Sequence, residues 1–183
     1  MRTATTDATR DTPASMIDGD IRRVLITGAN SGIGFAAGQE LACSVIEIVM
    51  VCRDSARGER ALAEVADVAP GLAPALLLAD LSSQREVRAV AAEVRERCER
   101  TDVLLNNAGG AFERRELSAG RIEKTLATNH LAPFLPHSPL LDLLLAGPAA
   151  RIVAVASEAF SVDASASAVA AHPPASDDSE VPC

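Results

Sequence analysis

The chain has 183 residues, which is the size of a single domain. Apolar residues make up 48% of it, so a core can form and a wholly disordered chain is excluded. The formal net charge of −8 argues against sequence-independent binding to nucleic acid, which requires clustered cations. The sequence has no apolar signal segment and no apolar run near the ~20 residues that span a bilayer. We therefore expect a soluble, cytoplasmic α/β domain without a membrane span.

The cysteines and histidines do not form a metal-binding pattern. Cys43, Cys52, Cys98 and Cys183 are too far apart in the sequence for a CxxC pair. The three histidines have no metal-ligand spacing with them. We expect unpaired thiols, with Cys43 and Cys52 buried among apolar neighbours, and no metal site.

From residue 21 onwards, short apolar runs alternate with longer amphipathic segments. The apolar runs lack polar alternation, which is typical of strands that are buried on both faces of a parallel sheet. The strands predicted in this way are Val24–Ile26, Val45–Val51, Leu76–Ala79, Val103–Leu105 and Ile152–Ala156. Residues 55–68 and 83–100 are predicted helices, the second opened by the capping-box pattern of Ser83 and Glu86. This alternation indicates βαβ units with right-handed crossovers.

The segment 129–147 should form one helix, but it contains Pro133, Pro136 and Pro139. An interior proline removes a hydrogen bond and clashes with the preceding turn, which costs about 3 kcal/mol. We therefore expect this helix either to be kinked or to begin only near Pro139.

A glycine-rich turn follows the first predicted strand and opens a helix. Glycines let the backbone approach a pyrophosphate closely, and a helix N-terminus offers free N–H groups and a positive dipole. A structural loop is an equally good explanation of such a turn taken alone. The cofactor-binding residues predicted here are Gly28, Asn30, Ser31, Gly32, Ile33 and Gly34.

Polar residues also follow the other predicted strands. Arg53 comes after the second strand, where an arginine would accommodate a ribose 2′-phosphate, so NADP(H) is favoured over NAD(H). The alternative is an ordinary cation at the end of a strand. The remaining predicted cofactor-binding residues end the third and fourth strands and are Asp80, Leu81, Asn107, Ala108 and Gly109. All lie at the carboxyl ends of strands, the edge at which open α/β sheets bind ligands.

In this order, the motifs resemble those of the short-chain dehydrogenase/reductase family. Residues 27–34 match its TGxxxGIG turn, Asp80 its adenine-side aspartate, and residues 106–109 its NNAG motif. The stretches VMVCRD, LLNNAGG and EKTLATNHLAPF are most similar to the retinol-dehydrogenase-like branch, which prefers NADP(H). The resemblance covers about residues 21–158.

Two catalytic residues are implied by the same resemblance. The family's catalytic asparagine falls on Asn129, within Thr-Asn-His, and its catalytic serine falls on Ser157, at the end of the last strand. The implied reaction is reversible hydride transfer between NADP(H) and a small-molecule alcohol or carbonyl. Ser157 would hydrogen-bond the substrate oxygen, and Asn129 would hold a water in the proton relay. A family tyrosine, its pKa lowered by a lysine ammonium, would exchange the proton.

The sequence departs from the family at the YxxxK motif. It contains no tyrosine, and its only lysine, Lys124, precedes Asn129. We therefore expect a C-terminally truncated or frame-shifted chain that is weakly active or inactive, with a compromised family dimer interface. Loss of a covering helix predicts exposed apolar sheet faces near Val103–Leu105 and Ile152–Ala156. A non-catalytic dinucleotide-binding module and an unstable fragment are the alternatives.

The alternation of predicted strands and helices and the position of the motifs at strand ends together predict the fold class. We expect a partial α/β Rossmann fold of five parallel strands in the order 3-2-1-4-5, with helices on both faces. Residues 1–20 are assigned to a flexible N-terminal arm, with Met16 as an alternative start. Residues 21–158 form the predicted NAD(P)-binding domain, and residues 159–183 form a predicted low-complexity, disordered tail.

Overall fold

The computed structural model describes residues 22–44, 46–70, 72–112, 114–134 and 137–156. The arm, the tail and Ser157 lie outside these ranges, so the division into domains stays a prediction. The first elements along the chain are β1 (Arg22–Thr27), α1 (Gly32–Ala42), β2 (Ile46–Cys52), α2 (Ser55–Val68), β3 (Ala75–Leu78) and α3 (Gln84–Arg97). They are followed by β4 (Val103–Asn106), α4 (Lys124–Leu126), a π-helical turn (Ala127–Leu131), α5 (Ala132–Phe134), α6 (His137–Leu145) and β5 (Arg151–Ala154).

Among the described residues, the five strands form one sheet in the order β3-β2-β1-β4-β5, and every neighbouring pair is parallel. Leu25 lies at the centre, in register with Val49 on one side and Leu104 on the other. The predicted partial Rossmann sheet is therefore confirmed. The connection from β3 to β4 passes back across the sheet and places β4 beside β1, which brings the ends of these two strands side by side.

Both faces of the sheet are covered by helices. Successive strand residues point to opposite faces, so Leu25 packs with Val94 of α3 and Leu143 of α6, whereas Ile26 packs with Val65 of α2. Each central strand must therefore be apolar at consecutive positions, which explains the unalternating runs in the sequence. Helix α2 begins and ends where the sequence predicts, and α3 begins after Ser83 but ends three residues earlier, at Arg97. None of the helices in the described ranges is long and apolar enough to cross a membrane.

The proline-rich segment combines features of both expected alternatives. Helical turns already begin at Lys124 and are interrupted by a π-helical turn, and α6 begins at His137, two residues before Pro139. Pro133 lies two residues after the π-helical turn, where the regular hydrogen-bond pattern is already interrupted, and its missing N–H therefore costs little. The same proline has no N–H to donate to the carbonyl of Asn129, four residues before it.

Of the two regions where the sequence predicts exposed apolar residues, only the one at β5 is exposed. The expected exposure near Val103–Leu105 is wrong, because Leu104 and Leu105 are buried between α3, α6 and the α1–α2 layer. Along β5, in contrast, Ile152 and Val153 are 47% and 43% exposed. The covering helices therefore extend over β4 and stop short of β5.

An ion-pair network links three strands at the amino edge of the sheet. The Arg23 guanidinium donates to Glu47 Oε2 of β2 at 2.6 and 3.0 Å and to the carbonyl of Arg100 at 2.8 Å. The Arg23 backbone N–H donates to Asp102 Oδ2 at 2.8 Å, just before β4. Arg100 Nε lies 3.5 Å from that same carboxylate oxygen. Arg23 thereby connects β1 to both of its neighbours.

Replacing Arg23 should destabilise the fold. We expect Arg23→Met to lower the free energy of unfolding by about 1–3 kcal/mol, because the half-buried Glu47 carboxylate would lose its partner. The control is Arg97→Met, which removes an exposed i,i+4 pair with Glu93 worth about 0.3–0.5 kcal/mol. Urea unfolding of both variants measures the difference, and equal losses would contradict the role assigned to Arg23.

Candidate functional site

A cleft of about 550 Å³ opens at the carboxyl edge of the sheet. Its volume lies within the roughly 300–1,000 Å³ typical of small-molecule sites. Nine of the predicted cofactor-binding residues line it, namely Gly28, Asn30, Ser31, Arg53, Asp80, Leu81, Asn107, Ala108 and Gly109. The structure therefore brings together the residues that follow β1, β2, β3 and β4. Gly32, Ile33 and Gly34, also predicted, form the first turn of α1, and Ser157 lies outside the described residues.

Two glycines of the turn after β1 are required by close packing. Gly28 has a φ of +66°, and a Cβ there would lie 2.9 Å from the Ala108 Cα. At Gly34 a Cβ would clash with Asn107 Nδ2 and would lie 2.7 Å from the Gly28 carbonyl oxygen. Gly34 is therefore needed for packing between two loops, not for direct contact with the cleft.

Hydrogen bonds join the ends of β1 and β4 below the cleft. The Thr27 hydroxyl oxygen accepts the backbone N–H groups of Asn107 and Ala108, both at 3.0 Å, and donates to the Leu105 carbonyl at 3.3 Å. The Asn107 side chain donates to the carbonyls of Thr27 and Gly28 at 3.0 and 3.2 Å. Asn107 therefore shapes the cleft with its side chain, and Thr27 is a structural partner that the list of site residues from sequence did not include.

The three helices that begin at this edge have different N-termini. Asp54 caps α2 by accepting the Arg57 N–H at 2.8 Å, and Ser83 caps α3 by accepting the Glu86 N–H at 3.4 Å. The N-cap of α1, Ser31, makes no such side-chain hydrogen bond, and no acidic residue lies in its first turn. Ser31 lines the cleft, so the N–H groups and positive dipole of this terminus lie at its wall. The site thus fits the phosphates of a dinucleotide at α1.

Two arginines and two carboxylates set the charge on the β2–β3 side of the cleft. Arg53 and Arg57 both line it, and Arg57 was missed from the sequence, although its spacing of three from a capping aspartate places it at the helix start. Asp54 Oδ1 is engaged by the helix cap, and Asp80 Oδ1 accepts the Ser82 N–H at 2.9 Å. The two arginines supply the positive charge that an anionic ligand would meet on this side of the cleft.

The predicted capping box forms only in part. Ser83 caps α3, but Glu86 Oε2 accepts the N–H of Asp80 at 2.7 Å instead of the N–H of Ser83. The Ser83 N–H donates to the Asp80 carbonyl at 2.9 Å. Glu86 therefore fixes the backbone of Asp80 at the rim of the cleft.

Asn129 lies in the π-helical turn, next to the cleft. Its Oδ1 accepts the Gly110 N–H and its Nδ2 donates to the Gly110 carbonyl, each at 3.0 Å. Its side-chain amide is thus engaged with the loop after β4, and its neighbour Thr128 lines the cleft. Turns of this π type occur frequently at functional sites, and no pattern in the sequence signals this one.

The thiols near the site are ordinary buried or exposed cysteines. Cys52, at the end of β2, is buried, and desolvation raises the pKa of its thiol to about 11. The expectation that Cys43 is buried is wrong, because it follows the last turn of α1 and faces solvent. In the described ranges, no group of three or more His, Cys, Asp or Glu side chains is arranged to hold a metal ion.

The fold and the cleft are those of a dinucleotide-binding oxidoreductase class, and comparison with known proteins gives the family. The short chain dehydrogenase family model matches residues 22–169, and the chain belongs to this family. Members of the family bind NAD(P)(H) and act on small-molecule substrates.

Individual relatives agree with this assignment. Retinol dehydrogenase 14 of Mus musculus is 37% identical over 149 residues, which cover 76% of this chain and 45% of the relative. A Streptomyces sp. (strain C5) protein provisionally named daunorubicin C-13 ketoreductase DnrU is 41% identical over 139 residues, covering 76% of this chain and 47% of the relative. The chain thus spans about half the length of these relatives.

Solved structures resemble this fold at similar coverage. The short-chain dehydrogenase from Sphingobium yanoikuyae in complex with NADPH superposes with a TM-score of 0.65 and 31% identity, covering 75% of this chain and 54% of that one. The Pseudomonas aeruginosa RhlG/NADP complex gives a TM-score of 0.64 and 27% identity, covering 74% and 54%.

Two alanine substitutions in α1 should separate loop packing from helix propensity. We expect Gly34→Ala to cost about 1–3 kcal/mol of unfolding free energy, because the new Cβ displaces Asn107. Gly38→Ala is the control, since a Cβ there lies 3.8 Å from Ile26 and Val65, at ordinary contact distance. It should be neutral or stabilising by up to about 1 kcal/mol. Urea unfolding measures both, and similar effects would contradict the packing role of Gly34.

Proposed function

We propose that this chain is the cofactor-binding part of an oxidoreductase that transfers a hydride between NADP(H) and an alcohol or carbonyl carbon. The observation that carries the proposal is the N-terminus of α1, which has no side-chain cap and opens into a cleft with two arginines on its wall. Anions bind well at such a terminus because its N–H groups and dipole both favour negative charge. The family assignment and the NADP(H) complexes among similar structures support it.

The residues along the cleft favour one orientation of the bound cofactor. Its pyrophosphate would lie at α1, and its 2′-phosphate at Arg53 and Arg57, on the β2–β3 side of the sheet. Asp80 and Leu81 would then flank the adenine. The nicotinamide would lie at the opposite end, on the β4 side, near Gly110.

The preference for NADP(H) over NAD(H) rests on charge. A free carboxylate after β2 would select NAD(H) by accepting a hydrogen bond from the ribose 2′-hydroxyl. The carboxylate nearest in sequence, Asp54, is instead engaged by the N–H of Arg57. Arg53 and Arg57 would therefore supply the positive charge that meets the 2′-phosphate on this wall.

When bound, NADP(H) supplies or accepts the hydride. The side-chain amide of Asn129 is engaged with Gly110, so we propose that its backbone carbonyl, and not its side chain, holds the relay water. Ser157 would orient the substrate oxygen, as the family resemblance implies.

The cytoplasmic location and the weakened dimer interface that the sequence led us to expect remain predictions.

These 183 residues do not include the tyrosine and lysine that would supply the proton in the family reaction. The sequence has no tyrosine, and the only lysine lies before Asn129. This composition favours a second candidate function, a module that binds NADP(H) without catalysing its oxidation. The names of the relatives refer to a retinol and to a ketone, which supports small alcohols and carbonyls as the substrate class of the oxidoreductase.

Cofactor titration tests the proposal. We expect NADPH to bind at least about tenfold more tightly than NADH, because a charge-assisted contact to the 2′-phosphate is worth roughly 1.5–3 kcal/mol. Arg53→Ala should remove most of this difference and Arg57→Ala part of it. Arg88→Ala, on the exposed side of α3, is the control and should change neither affinity. Equal affinities of the unaltered chain for NADPH and NADH would contradict the role proposed for Arg53 and Arg57 in binding the 2′-phosphate.

Turnover tests the catalytic half of the proposal. With NADPH and a panel of aldehydes and ketones, we expect these 183 residues alone to be about 10²–10⁴-fold slower than a relative that carries YxxxK, because a positioned general acid is missing. NADPH binding in the same preparation shows that the protein is folded. Turnover within tenfold of the relative would contradict this, and loss of that turnover in His130→Gln would identify His130 as the donor.

A further inference from the structure

The Phe112 ring forms part of the wall of the cleft, at the end that faces away from the arginines. It lines the cleft, and a Cβ placed on Gly110 would lie 3.6 Å from two of its ring atoms. Phe112 thus packs over the backbone of the loop that follows β4. In the strand order β3-β2-β1-β4-β5, this loop lies on the opposite side of β1 from Arg53. Phe112 is therefore at the nicotinamide end of the cleft proposed above.

The only lysine of the chain holds this aromatic ring. Lys124 Nζ lies 4.8 Å from the Phe112 ring centroid, within the range of a cation–π interaction. The same ammonium lies 2.9 Å from Glu116 Oε2, and the Lys124 backbone N–H donates to the Glu116 carbonyl at 2.9 Å. The ammonium is thus fixed by a carboxylate on one side and by the ring on the other.

The start of the α4 segment pins the loop at two points. Lys124 begins α4 and contacts Phe112 and Glu116, while Asn129, five residues later, is paired with Gly110. Gly110 and Phe112 are therefore each fixed from the same helical segment. Asn129 contacts the near side of the loop, at Gly110, and the ammonium of Lys124 contacts the ring itself.

We propose that Lys124 is a positioning residue that holds the Phe112 ring as the wall of the nicotinamide end of the cleft. The inference rests on the proposed function, since it concerns the same cleft. It assigns to Lys124 a role that needs no contact with the cofactor. Loss of the ammonium should weaken binding of the nicotinamide half and leave binding of the adenosine half unchanged.

Two ligands distinguish the halves. NADPH spans the whole cleft, whereas 2′,5′-ADP carries only the adenosine half with its 2′-phosphate. We expect Lys124→Gln to weaken NADPH binding by about 3- to 10-fold, from the loss of a cation–π contact and an ion pair, and to leave 2′,5′-ADP binding unchanged. Lys124→Arg should restore NADPH binding, because a guanidinium keeps both contacts. Arg88→Gln is the charge control.

The readout is favourable because the chain has no tryptophan and no tyrosine, so the emission of bound NADPH is measured without protein fluorescence. Phe112→Leu is a second variant and should reproduce the effect of Lys124→Gln, which decides the matter if the lysine variant fails to fold. Unchanged NADPH affinity in both variants would overturn the inference, as would equal weakening of both ligands, which indicates a general structural role. Failure of the unaltered chain to bind either ligand would overturn the proposed function itself.

Discussion

The cleft depends on the hydrogen bonds that the Thr27 hydroxyl makes between the ends of β1 and β4. These strands are neighbours in space but are separated in sequence by two βα units, so nothing along the chain joins their loops. Thr27 Oγ1 accepts two N–H groups from the β4 end, and Asn107 returns two hydrogen bonds to the β1 end. Glycines at 28 and 34 then allow the loops to touch. Buried polar contacts of this kind are costly to leave unpaired, so the two loops form as a unit.

The cap chemistry of the helices separates structural from ligand-binding termini. Helices α2 and α3 use Asp54 and Ser83 to satisfy their own N–H groups, whereas α1 does not. Asp54 caps α2 from the rim of the same cleft, next to Arg53 and Arg57. A single aspartate therefore begins a helix and fixes the position of Arg57 in its first turn.

Much of the fold follows from the sequence because its signals are local. Unalternating apolar runs mark strands covered on both faces, and the residues at the carboxyl ends of those strands necessarily meet at one edge. The bounds of α2 could be predicted because its amphipathic segment is continuous, and the structure shows that Asp54 caps its first turn. The cleft-lining residues between Gly28 and Gly109 could also be predicted, because they follow the carboxyl ends of the predicted strands.

The features that the sequence did not predict arise from contacts between distant residues or from a choice between near-equal partners. The Glu86 carboxylate bonds the N–H of Asp80 instead of that of Ser83, although both lie within reach of its side chain. The π-helical turn has no local composition signal, and Arg57 reaches the cleft only because the first turn of α2 starts at its rim. The helices that pack over β4 include α3 and α6. Their position depends on the connection between β3 and β4, which the sequence of β4 itself does not reveal.

The absence of a side-chain cap on α1 also affects the stability of the folded protein. The Ser31 side chain does not cap α1, so a phosphate group bound there would act as the N-cap of this helix. Binding then contributes to folding by RT ln(1 + [L]/Kd), about 2.7 kcal/mol at a ligand concentration of one hundred times Kd. Because α1 packs on β2 and α2, that gain would spread to one whole face of the sheet. The ligand of this cleft would therefore be a structural component of the domain as well as a reactant.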